Sequence, residues 1–158
     1  AVVEYFWVLL IGLVMVVVGQ TIQAFSISAL IGFLSNRFKL RRRVQEEAHL
    51  WGGSVVLSIT LFFLLASSLV QVGLWALVFV LVGQFEAYPE AFYHSAVNFA
   101  TLGYGDIVMA EPWRLLGAME SISGILMLGL STATLSSVFL QLLKLRRRQE
   151  LGGDRKKP

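Results

Sequence analysis

Three apolar stretches, Tyr5 to Leu34, Leu50 to Phe85 and Trp113 to Leu143, leave this chain little choice of fold. Each exceeds the roughly 20 residues that cross the hydrocarbon of a bilayer. Composition agrees: 56% of the 158 residues are hydrophobic and 15% are charged, with a mean hydropathy of +0.72. That excludes a soluble domain. The middle stretch could hold one tilted helix reaching beyond the lipid or two shorter ones, and since no Pro interrupts it the single helix is the simpler expectation. The first stretch has Glu4 and no Lys or Arg before it, which is wrong for a signal sequence, so it reads as a true helix.

The cations lie beside these spans. Arg37, Lys39, Arg41, Arg42 and Arg43 fall between the first two, and Lys144, Arg146, Arg147, Arg148, Arg155, Lys156 and Lys157 follow the third, leaving Arg114 elsewhere. The formal charge of +3 therefore reads as topology and not as nucleic-acid binding, with both clusters cytoplasmic and the N-terminus outside. The connection from Gln84 to Pro112, carrying Glu86, Glu90, Asp106 and Glu111, then lies outside. Arg42 with Glu46 and Arg43 with Glu47 stand at i, i+4 spacing, compatible with an interfacial helix. Anionic lipid is the partner suggested by Arg41, Arg42, Arg43, Arg146, Arg147 and Arg148, although topology alone accounts for them equally well. With no cysteine, and His49 and His94 as the sole histidines, no set of groups for intramembrane catalysis is legible, so an enzyme is not expected.

Between the second and third spans the pattern changes. Pro89 suits a first helical turn and Glu90 complements the positive end of a helix dipole, predicting a helix over 88–100 that crosses about half a membrane and must return. The run Thr101-Leu102-Gly103-Tyr104-Gly105-Asp106 follows it. Its two glycines let successive backbone carbonyls point one way and replace the water shell of an ion. This run resembles the Thr-Val-Gly-Tyr-Gly-Asp signature of the potassium-channel pore-loop family, in its prokaryotic, two-transmembrane form, at five of six positions. Leu102 replaces Val, and Ala100 stands where many relatives carry a second Thr. The resemblance covers about residues 50 to 145 and leaves the first span as an addition.

The resemblance implies an all-α membrane protein divided into an N-terminal transmembrane helix (1–36), a basic cytoplasmic linker (37–49), a pore domain (50–145) and a basic tail (146–158). Within the pore domain it implies an outer helix (50–85), a re-entrant pore helix (88–100), a filter (101–106) and an inner helix (112–145). Permeant K⁺ would be held by Thr101, Leu102, Gly103, Tyr104 and Gly105 of four identical chains, in a homotetramer. The side chains of Leu102 and Tyr104 would point away from the axis into the pore-helix packing. The cell implied is prokaryotic and the membrane its inner one. The alternative is the ion-conducting subunit of a potassium transporter, or a weakly selective cation channel.

Other residues are expected around the filter. Asp106, Tyr93, His94, Asn98 and Glu120 are candidate supports, Gly124 and Gly129 candidate hinges, and Leu126, Ala133 and Ser137 candidates for the cavity wall. Glu120 stands out as a carboxyl about two turns inside a span, where charge is costly, with His94, Asn98, Asp106, Arg114 or a neighbouring hydroxyl as possible partners. Gly12, Gly19, Gln23 and Ser26 share one face of the first span, predicted to meet protein.

Overall fold

The computed structural model describes residues 2–41 and 51–154, and among them the elements are four helices: α1 (Val2–Arg41), α2 (Trp51–Leu81), α3 (Tyr88–Phe99) and α4 (Arg114–Asp154). Windows of α1, α2 and α4 are long and apolar enough to cross a bilayer, whereas α3, with 12 residues, is too short. The chain is an integral membrane protein. α2 is a single helix, which resolves the two possibilities left open for the middle stretch. α1 continues through Arg41, so the first residues expected as linker prolong the span. Arg42, Arg43, Glu46, Glu47 and His49 lie outside the described residues, as do the side chains of Arg41, Arg146 and Arg148.

Lipid tails are as apolar as Leu, so helices in a membrane associate through close packing and polar contacts. α1 uses both. Its buried stripe is Val8, Gly12, Gly19, Gln23 and Leu30, the face anticipated from its small and polar residues. A Cβ on Gly12 would fall 2.2 Å from the Met119 sulfur, and one on Gly19 would fall 2.7 Å from Gln71 Oε1. Ser67 donates to Gln23 Oε1 at 2.8 Å, tying α1 to α2 in the middle of the span. α1 thus lies against α2 and α4 together. At the end of the bundle that carries α3, Val8, Trp75, Phe79, Phe85, Ala91, Met109 and Leu116 form one apolar cluster drawn from all four helices and their connections. Gln84 Oε1 accepts from the Ala110 amide at 3.0 Å, closing the segment that leads from α3 back to α4.

Candidate functional site

α3 starts without a side-chain cap at Ala87, and Pro89 in its first turn removes one of the amides that a cap would serve. Its buried residues are Ala91, His94, Ser95 and Val97. On the α2 side, Ser95 Oγ bonds the Val72 carbonyl at 2.8 Å and Tyr88 donates to the Gly73 carbonyl at 3.2 Å. α3 is therefore anchored at both ends before the filter begins.

The helix ends in a Schellman motif. The Leu102 amide bonds the Val97 carbonyl at 2.9 Å and the Thr101 amide bonds the Asn98 carbonyl at 2.8 Å, with Thr101 itself in the left-handed region at φ 59°. That place is usually given to Gly, and a β-branched residue there is strained. Left-handed backbone then recurs at every second residue: Gly103 has φ 57° and Gly105 has φ 73°. Leu102 and Tyr104 between them are 55% and 65% exposed. This differs from the expectation that they pack into the pore helix, because within one chain no second surface covers them.

Beyond the run, Tyr93 donates to Asp106 Oδ2 at 2.8 Å, and this carboxylate pushes the phenol above its ordinary value. Asn98 Nδ2 lies 2.9 Å from His94 Nε2. With Asn98 as donor, Nδ1 carries the ring proton and reaches the Ile107 carbonyl. Burial holds His94 below its ordinary value, opposed by Ile107 and Asp106. These bonds join α3 to the chain just past the filter. A 250 Å³ cavity lined by His94, Asn98, Gly103, Gly105 and Arg114 separates the filter from the start of α4.

α4 meets α3 along one face. A Cβ on Gly117 would lie 2.8 Å from Asn98 Nδ2, and one on Gly124 would lie 2.0 Å from the Phe99 carbonyl oxygen. Between them Ser121 Oγ reaches the Asn98 carbonyl at 2.9 Å, sharing its proton with the Gly117 carbonyl at 3.1 Å. Glu120 is fully buried and bonds Ser95. Of its anticipated partners, Asp106 is engaged by Tyr93, Arg114 by Glu111 and His94 by Asn98, whereas the Asn98 amide faces the carboxyl and the Ser95 hydroxyl bonds it. α4 runs unbroken through Gly124 and Gly129. Nothing lies within 4 Å of a Cβ on Gly129, and Leu126, Gly129, Ala133 and Ser137 all lie on an exposed stripe.

Ser95 and Ser121 were not singled out by sequence reasoning. The spacing of Ser121 between Gly117 and Gly124 on one helical face was a signal available for the second, whereas nothing separates Ser95 from other membrane serines.

A family model described as Ion channel matches residues 55–141, more than half of the chain, from the first turns of α2 into α4. No curated protein and no solved structure matches the chain.

Proposed function

The chain belongs to this ion channel family, which is not an enzyme family, and on that premise we propose that it conducts potassium selectively through a pore closed by four copies around the filter run. The observation that carries this reading is the left-handed backbone at Thr101, Gly103 and Gly105 in the run Thr-Leu-Gly-Tyr-Gly-Asp. Residues of alternating hand turn successive peptide planes so that their carbonyls line one side, and four such lines make rings that replace an ion's hydration shell. The carbonyls of Thr101, Leu102, Gly103 and Tyr104 and the Thr101 hydroxyl are the ligands in this reading. Gly105 turns the chain out to Asp106.

One run per chain supplies one side of the pore, so a closed ring needs copies related by rotation. The bare side chains of Leu102 and Tyr104 support this, because neighbouring copies give them the cover that their own chain lacks. The exposed stripe of Leu126, Gly129, Ala133 and Ser137 lines the cavity below the filter. Mutual repulsion between ions in adjacent rings offsets their tight coordination, so conduction needs no covalent step. The filter faces outside, with the N-terminus outside, the C-terminus cytoplasmic and the basic segments along the cytoplasmic face of a prokaryotic inner membrane.

Potassium and rubidium flux from liposomes holding the pure chain, with sodium as competitor, tests the reading. Uptake of potassium and rubidium far above sodium, lost in Gly103→Ala, is expected. Equal potassium and sodium flux in the parent would overturn it and favour a weakly selective cation channel.

A further inference from the structure

We propose that Glu120 is a positioning residue for the filter, working as a neutral carboxylic acid that joins the inner, pore and outer helices through Ser95; the proposal rests on the potassium-channel reading above. Ser95 Oγ stands between two acceptors, the Val72 carbonyl on α2 at 2.8 Å and Glu120 Oε1 on α4. A serine hydroxyl has one proton to give and lone pairs to receive. Both contacts are hydrogen bonds when Ser95 donates to Val72 and the carboxyl donates to Ser95. A carboxylate only accepts, so with it Ser95 would have to share its one proton between two acceptors, as Ser121 does, and neither bond would be whole.

The surroundings agree with a neutral group. Glu120 is fully buried; beside Ser95 it is faced by the side-chain amide of Asn98, which also bonds His94, and its Oε2 makes no hydrogen bond of good geometry, an arrangement too poor for an ionised carboxylate inside a membrane. No cation faces it among the described residues. α2 has no titratable residue between Trp51 and Leu81, and α1 has none between Gly12 and Gly19, the stretch that packs beside Met119 and Ser123. On α3, His94 is held by Asn98 and Tyr93 by Asp106, and on α4 Arg114 pairs with Glu111.

The joint reaches the filter through a short path. Ser95 lies six residues before Thr101 on a helix that enters the filter without an intervening loop. One turn further along, Ser121 bonds the Asn98 carbonyl, which also accepts the Thr101 amide. Glu120 thereby sets the tilt and rotation of α3, and α3 sets where the filter starts. Its neighbour Ser123 Oγ and the facing Gln71 Oε1 are buried without partners, and Gln71 reaches α4 through its Nε2 on the Met127 sulfur at 3.3 Å, a weak acceptor, so this joint is the stronger polar tie at its level.

The experiment compares E120Q, E120A, S95A and the E120A/S95A double variant in liposomes, measuring potassium flux and the potassium-to-sodium ratio per assembled channel. Glutamine keeps a neutral donor, so E120Q is expected within about twofold of the parent. E120A and S95A should each lower the ratio by roughly tenfold, and the double variant no further than S95A, because S95A already removes the bond that E120A removes, together with the one to Val72. A merely structural role would change the amount of assembled channel and leave this ratio alone. Infrared spectra of the parent should show the carbonyl stretch of a protonated carboxyl that E120Q lacks. A loss in E120Q equal to that in E120A, additive losses in the double variant, or absence of that infrared band would overturn the proposal. If E120A fails to assemble, E120Q, S95A and the infrared band decide. The parent's own selectivity tests the channel reading separately, and if it passes sodium equally, the contrast of E120Q with S95A is read from total conductance.

Discussion

Thr101 carries the strain of the site. A left-handed β-branched residue costs on the order of 1–2 kcal/mol, and the Schellman geometry around it would suit Gly. Its retention makes sense if the hydroxyl and the stiffness are used at the pore. Thr101→Gly is therefore expected to leave the thermal stability of the assembled protein equal or higher while reducing potassium-to-sodium selectivity in flux assays. On the proposed reading, a second residue is expected to give the outer mouth an acid response. Burial lowers His94, so the folded protein prefers the neutral ring. Its contribution is complete above the ordinary value of 6.5 and is lost as pH falls below it. A protonated ring sets a second donor against Asn98 Nδ2 and breaks that bond. Current recorded while the outer solution is acidified from pH 7.5 should decline below about 6.5, and His94→Gln should flatten that decline.

At the scale of elements, the half-helix α3 is the part held from most sides, by α2, by α4 and by the segment after the run 101–106. α2 grips it through Val72 and Gly73, α4 through Glu120, Ser121 and two glycines, and the segment after the filter through Tyr93 and His94. The two inner-helix glycines proposed as hinges sit in different surroundings. A methyl at Gly124 meets the Phe99 backbone, which cannot swing aside as a side chain does, whereas a methyl at Gly129 meets open space. Gly124→Ala should cost about 1–3 kcal/mol, seen as a lower melting temperature and an altered ion ratio together. Gly129→Ala should assemble normally, and any effect it has should be confined to open probability in single-channel records.

For the whole molecule, α1 is the added element, and its docking is independent of the filter. It touches α4 at Leu116, Met119 and Ser123 and α2 at Gln71 and Ser67. Native mass measurement in detergent should give four copies. Gly19→Leu should push α1 away from Gln71 and Ser123, lowering the thermal stability of that assembly by about 1–3 kcal/mol with ion selectivity unchanged. A selectivity loss in Gly19→Leu would instead place α1 within the machinery that holds the pore.

The sequence by itself determined the three spans, the short helix after Pro89, the filter run and the buried face of α1. These follow from local quantities: the apolar length a bilayer demands, the period of 3.6 residues, and the backbone freedom that only certain residues carry. It also marked Glu120 as a residue needing a partner. Which partner was decided by tertiary structure, since His94, Asn98, Asp106, Arg114 and a neighbouring hydroxyl were all compatible with the chain order and only the tilt and rotation of α3 against α4 brought Ser95 and Asn98 to it. The same holds for Gly124, which the family resemblance marked as a candidate hinge while its contact with Phe99 depends on how closely two helices approach. The left-handed Thr101 was hidden for a different reason: its conformation opposes its own propensity and is imposed by the end of α3. Tertiary structure decides such matters because helix packing is set by surfaces far apart in the chain, and no local pattern records the angle at which they meet.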